Sequence, residues 1–188
     1  NIYYWRKRTS GFEPTAPYGH DGRWRWAFHD MDSTFSRQNF DSMAYATATN
    51  STGSNPPWST LILRKLLENQ TFKNDFISRF ADLMNTSFLS SRVVAKVDEM
   101  AAVIAPEMPE QYFRWKAPLN NSDWQFFLNR TKTFANERPA FQRTHIRDKF
   151  TIANNINASL DVSNINHGYI KVNTINIKDG TPGITGNP

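Results

Sequence analysis

Phe72-Lys73-Asn74-Asp75-Phe76-Ile77-Ser78-Arg79-Phe80-Ala81-Asp82-Leu83 places Phe72, Phe76, Phe80 and Leu83 at intervals of four, four and three. Side chains so spaced stack on one face of an α-helix, so the stretch predicts a helix with a buried aromatic stripe. Each fully buried Phe or Leu contributes about 1.5–3 kcal/mol. On the N-terminal side Asn55 predicts an N-cap with Pro56 at the first helical position, leading into Leu61, Leu63, Leu66 and Leu67. On the C-terminal side Ser90 predicts the cap of a helix carrying Val93, Val94, Val97, Met100 and Ala101. Pro106 and Pro109 interrupt before Tyr112, Phe113 and Trp115. Asn121 or Ser122 then caps a helix with Trp124, Phe127, Leu128 and Phe134, and a final helix carries Phe141, His145, Ile146, Lys149 and Phe150.

The two ends read differently. Residues 1–5 are a short aromatic strand and residues 7–22 a loop rich in Gly, Pro and charge. Arg23-Trp24-Arg25-Trp26-Ala27-Phe28 alternates polar and apolar, which predicts a half-buried strand with Trp24, Trp26 and Phe28 facing inward. Residues 36–57 read as irregular and polar. Of 26 aromatic residues, 25 lie in residues 1–150, so a helical, aromatic-rich body gives way near Ile152 to an Asn/Gly-rich tail. In the tail, Ile170, Val172, Ile175 and Ile177 predict strand with a break near Asn173, followed by turn signals at Asp179-Gly180 and Pro182-Gly183. An isolated hairpin is marginal, so the tail either pairs with the body or is poorly ordered. The expected fold is mainly α with a small β part, divided into a body over residues 1–150 and a β-rich segment over residues 151–188 that begins a following domain or linker.

Composition removes several classes of function. The 188 residues contain no Cys, which excludes a disulfide framework, a thiolate zinc site and a cysteine nucleophile. No run approaches the 18 or so apolar residues of a transmembrane helix. A net charge of +5 is modest and dispersed over the helices, as at Arg64, Lys65, Arg79, Arg92 and Lys96, so nucleic acid is not an expected partner. One local excess, Arg6, Lys7, Arg8, Arg23 and Arg25 against Glu13 and Asp21, falls in the first hairpin. His20, His29, His145 and His167 have no metal-ligand spacing. The sequence begins at Asn1 without an initiator Met or a leader pattern and reads as a piece of a longer protein.

The chemistry-bearing feature is Phe28-His29-Asp30-Met31-Asp32-Ser33-Thr34-Phe35. Two carboxylates two residues apart at a strand end can converge on a hard cation such as Mg²⁺, which takes oxygen ligands. An acidic turn without a metal has the same letters. So does the Asp-x-Asp-x-Thr signature of haloacid-dehalogenase-type phosphatases, in which the first Asp is the nucleophile and the second the general acid. That chemistry needs a doubly wound α/β fold, and no strand–helix alternation follows Thr34.

Asn1-Ile2-Tyr3-Tyr4-Trp5-Arg6, Asp21-Gly22-Arg23-Trp24-Arg25-Trp26 and Asp30-x-Asp32-x-x-Phe35 together resemble the CotH kinase family, atypical protein kinases that are secreted or associated with the spore coat. The likeness continues through Leu66-Leu67-Glu68-Asn69, Phe72-Lys73-Asn74-Asp75-Phe76, Arg79-Phe80, Asp82-Leu83, Arg114-Trp115 and Phe134-Ala135-Asn136-Glu137-Arg138-Pro139. It covers roughly residues 1–150. The tail resembles segments that follow this domain in large surface or secreted proteins of Bacteroidetes type. The resemblance implies a kinase-like C-terminal lobe, a β-hairpin plus a helical bundle, that works with ATP and Mg²⁺ on protein Ser/Thr. It implies Asn1 and Asp30 as metal ligands and Asp32 as an auxiliary one, because in protein kinases an Asn, a two-strand hairpin and a metal-binding Asp follow one another. Phe35-Ser36 departs from the family's frequent Phe-Gly. The catalytic Asp, the nucleotide-covering loop and the phosphate-pairing Lys that the resemblance places upstream are not in this sequence. The fragment is therefore expected to be inactive without its N-terminal lobe. The resemblance implies a secreted or cell-surface location. A non-catalytic surface module for glycan or protein is the alternative, favoured if Trp24, Trp26 and Trp58 form an exposed row.

Overall fold

The computed structural model describes residues 3–27, 31, 34–50, 55–160, 163–164, 167–178 and 181. It divides into two compact units, Asn1–Thr34 and Phe35–Pro188. In the first, β1 (Tyr3–Trp5) pairs antiparallel with β2 (Arg25–Ala27), Tyr3 opposite Ala27 and Trp5 opposite Arg25. The second contains α1 (Ser42–Ala46), α2 (Leu61–Leu66), α3 (Gln70–Asn85), α4 (Ser90–Ile104), α5 (Met108–Trp115), α6 (Asn121–Phe150), β3 (Ile170–Val172) and β4 (Ile175–Ile177). The protein is mainly α with a small β part.

Phe72, Phe76, Phe80 and Leu83 lie on α3 as their spacing predicts, but they are half-buried rather than buried. Asn69 caps α3 by accepting from the Phe72 amide at 3.0 Å. Ring centroids run Phe72–Phe76 at 6.3 Å, Phe76–Phe80 at 5.9 Å and Phe76–Phe150 at 6.1 Å. Phe76, Phe80, Phe150 and Ile152 pack on a core of Met43, Met84 and Ile146. Through Phe76, Phe80 and Met84 the apolar face of α3 is partly buried toward α6 and α1, which places the hydrophobic term where the helices meet.

Several expectations about helix ends are corrected. Residues 36–57 include α1, capped by Asp41, whose carboxylate accepts from the Ala44 amide at 2.8 Å. Asn55 does not cap a helix. Its Nδ2 donates to the Tyr45 carbonyl at 2.6 Å, its Oδ1 accepts from Ser59 at 2.9 Å, and α2 begins only at Leu61. Asn120, not Asn121 or Ser122, caps α6 by accepting from the Asp123 amide at 3.0 Å.

The two helices expected between Asn121 and Phe150 are one, running through Pro139. A proline has no N–H for the carbonyl four residues earlier, here Ala135. Ser90 supplies the missing donor, its hydroxyl reaching the Ala135 carbonyl at 2.9 Å. Ser90 is therefore the first residue of α4 rather than its cap, with Leu89 in the cap position. Asp98 and Lys132 add an ion pair between α4 and α6.

The tail hairpin docks on α3. β3 and β4 pair antiparallel around Asn173 and Thr174, with Asn173 in the left-handed region at φ 50°. The break expected near Asn173 is this turn. Asp82, 3 % exposed, accepts from Asn173 Nδ2 at 2.9 Å, the Thr174 amide at 3.0 Å and Thr174 Oγ1 at 2.6 Å. Arg79 donates to Thr174 Oγ1 at 3.1 Å. The turn signals at 179–180 and 182–183 lie outside the described residues.

Candidate functional site

Asn1, Asp30 and Asp32, the three metal ligands implied by the resemblance, lie outside the described residues. So do Phe28 and His29. What the structure describes is how the chain is held on either side of the acidic pair. Among the described residues no group of three or more His, Cys, Asp or Glu could hold a metal ion.

On the upstream side, the β1–β2 hairpin is built around Asp21. Its carboxylate is buried and receives Arg23 Nε at 2.6 Å, Arg25 Nη1 at 2.8 Å and the Arg23 amide at 3.1 Å. The Arg25 hydrogen bond is the largest of the causes that hold the Asp21 carboxyl far below the ordinary aspartate range, against burial, which pushes it up. The same bond raises Arg25. Arg25 also sits over the rings of Tyr18 at 4.7 Å and Trp5 at 5.6 Å, and Arg6 sits over Trp24 at 4.8 Å. Tyr4 packs between Trp24 and Trp26 at 5.2 and 5.5 Å. Two positions in this loop have positive φ, Gly19 at 87° and Gly22 at 79°. At Gly22 a Cβ would stand 2.1 Å from Thr9 Oγ1, so only glycine fits.

The expectation that Trp24 and Trp26 face inward is corrected: they are 55 % and 57 % exposed. The described part of this unit has two three-residue strands and no helix, so within it there is no apolar layer for their faces to pack against.

Downstream, the Thr34 amide and hydroxyl both donate to the Met31 carbonyl, at 3.1 and 2.6 Å. Phe35, the first residue of the second unit, has φ 58°. A bulky residue in the left-handed region costs about 1–2 kcal/mol and needs its surroundings to hold it. Its ring packs on Phe134 of α6 at 4.9 Å. Four residues along α6, Arg138 grips the segment after Phe35. Its Nη1 donates to the carbonyls of Gln38 at 2.7 Å and Phe40 at 2.6 Å, and its Nη2 donates to Ser42 Oγ at 2.8 Å and to Gln142 Oε1. Desolvation lowers the Arg138 pKa, with Asp41 acting in the opposite sense. The sequence shows Arg138 only as part of a shared motif. Its hold on residues about 100 positions earlier has no local signal.

The Asp-x-Asp-x-Thr phosphatase alternative needs a parallel sheet. The described strands form two separate antiparallel hairpins, and Thr34 is tied into its own turn.

The described residues thus form a short hairpin and a mainly α body in which Arg138 grips the segment after Phe35. The family model described as CotH kinase protein matches residues 1–142, and the chain belongs to that family. No curated protein and no solved structure matches.

Proposed function

We propose that this chain is the C-terminal lobe of a kinase domain that transfers the γ-phosphoryl group of ATP to Ser or Thr of a protein substrate. The observation that carries the reading is the family match over residues 1–142, which spans the acidic pair and the motif containing Arg138. Asn1 and Asp30 are its metal ligands and Asp32 an auxiliary one. An amide oxygen and two carboxylates form a hard donor set suited to Mg²⁺. Held there, Mg²⁺ would supply charge neutralisation at the phosphate oxygens. The protein's own part is positioning: the Asp21–Arg25 pair stiffens the hairpin before Asp30, and Phe35 with Arg138 fixes where the chain goes after Asp32. Residues 1–150 form the lobe, and residues 151–188 begin the next domain or a linker to it. An N-terminal lobe completes the site. The protein works outside the cell or at its surface. Among the described residues no helix is long and apolar enough to cross a membrane.

The test is phosphate transfer by the parent protein with ATP and Mg²⁺ or Mn²⁺, with Asp30→Ala alongside. Transfer that disappears in the variant supports the reading. Absence of transfer and of metal binding in both proteins sinks it and favours the second reading, a glycan-binding surface module. That reading has its own observation: Trp24, Trp26 and Trp58 are exposed, Trp58 at 72 %.

A further inference from the structure

The C-terminal parts of α3 and α6, with the segment that leaves α6, line a pocket of about 550 Å³. Its apolar part comes from Ile77, Met84, Ile146 and Ile152. Its polar part comes from Arg143 and Arg147 on α6 and from Asn154, Asn155 and Asn157 beyond it. No Asp or Glu lines it. A pocket of this size suits a small organic molecule.

Arg143 and Arg147 are four residues apart and so stand on one side of α6. Two cations so placed repel each other. Neither makes an ion pair among the described residues. Asp82, the α3 carboxylate next in sequence to the lining residue Ala81, is committed to Asn173 and Thr174.

The two guanidinium groups are held differently. Arg143 Nη2 donates to Asn85 Oδ1 at 2.9 Å, which aims the group. The Arg147 side chain makes no hydrogen bond among the described residues. Its Nε is buried without a partner, whereas Nη1 and Nη2 are not sealed off and stay within reach of a molecule in the pocket. A cation partly withdrawn from water and left unpaired is relieved by an incoming anion, and a guanidinium offers two parallel donors to a phosphate or carboxylate.

The side-chain amides of Asn154, Asn155 and Asn157 also make no hydrogen bond among the described residues. Each carries both a donor and an acceptor, which matches hydroxyl groups rather than a bare ion. From this geometry we infer that the pocket binds a small hydroxylated anion, such as a sugar phosphate or a sugar acid. The anionic group accepts from Nη1 and Nη2 of Arg147 beside Arg143. The hydroxyls exchange hydrogen bonds with the Asn amides, and the C–H face of the ring lies on Ile146 and Ile152. The inference concerns α3, α6 and the segment after α6, and depends neither on phosphate transfer nor on the exposed tryptophans.

Glucose 6-phosphate and glucuronate are the probes, titrated into the full chain by calorimetry. Glucose is the uncharged control and inorganic phosphate the bare-anion control. At least one charged sugar is expected to bind with Kd below about 1 mM, and the tighter of the two identifies the head group. Glucose and inorganic phosphate are each expected to bind at least about tenfold more weakly. Arg147→Gln removes the free guanidinium together with its repulsion of Arg143. It is expected to weaken the charged sugar at least about tenfold without lowering the melting temperature, which separates lost recognition from lost folding. Asn155→Ala is expected to weaken the charged sugar by about threefold or more and to leave inorganic phosphate unchanged. No binding of either charged sugar at millimolar concentration would overturn the inference. So would glucose or inorganic phosphate binding as tightly as the charged sugars, or affinity unchanged in Arg147→Gln.

Discussion

The Ser90 hydroxyl donates to the carbonyl of Ala135 at 2.9 Å, the carbonyl that Pro139 leaves without its helical N–H. A donor from α4 therefore repairs the break that proline makes in α6. Ala135 is 4 % exposed, so water is poorly placed to substitute. Ser90→Ala is expected to cost about 1–2 kcal/mol in denaturant unfolding. In a Pro139→Ala background the restored N–H serves the same carbonyl, and the Ser90→Ala penalty should shrink by more than half. A double-mutant cycle with additive effects would show that the two residues do not act on one carbonyl.

Asp82 ties the tail hairpin to α3, and its charge state sets the strength of that tie. Burial pushes its carboxyl up, but the hydrogen bonds from Thr174 and Asn173 and the nearby Arg79 outweigh it, leaving the pKa below its ordinary value of 3.8. A carboxyl depressed on folding contributes stability that is fully present above the unfolded pKa and lost as pH falls through the folded one. Hairpin docking should thus be constant from neutral to weakly acidic pH and weaken in stronger acid, followed through the Thr174 amide resonance. Asp82→Asn should lower stability by about 1–2 kcal/mol at neutral pH and remove that acid transition.

Gly22 and Gly11 stand in the same loop and should respond in opposite ways. A Cβ at Gly22 would meet Thr9 Oγ1 at 2.1 Å and the Gly11 carbonyl at 2.7 Å, on a backbone at φ 79°. A Cβ at Gly11 would meet nothing within 4 Å. Gly22→Ala should cost more than the 1–2 kcal/mol or so of the left-handed penalty alone and alter the near-UV signal of the Trp5–Arg25 cluster. Gly11→Ala should leave both unchanged.

On the proposed kinase reading, Asp30→Ala in a chain carrying the proposed N-terminal lobe should abolish metal-dependent phosphate transfer. Asp32→Asn, at the proposed auxiliary ligand, should reduce metal affinity or activity by about 10–100-fold. Excess Mn²⁺ should partly rescue Asp32→Asn and not Asp30→Ala. Equal effects of the two substitutions on the Mg²⁺ dependence would contradict the division of roles.

Much of the fold was legible because helix-forming patterns are local. Phe72, Phe76, Phe80 and Leu83 need only the 3.6-residue period to share a face, and the Ile170–Ile177 alternation needs only the two-residue period of a strand. Chain order likewise marked the hairpin and the acidic pair, and the family resemblance rested on motifs read along the chain. The misreadings share one physical cause. Pro139 looks like a helix end until Ser90, 49 residues earlier in the chain, is found beside the Ala135 carbonyl. Trp24 and Trp26 look inward by alternation but stand more than half exposed. Arg138 shows in the sequence only within a family motif, and nothing there marks Gln142, until the folded chain brings Gln38, Phe40 and Ser42 against Arg138 and Ser42 against Gln142. Periodicity determined most of the long helices and the tail strands, though not α1 or the continuity of α6. Only the tertiary structure decided which carbonyls, donors and charges meet, because those partners lie tens of residues apart and no local pattern encodes their approach.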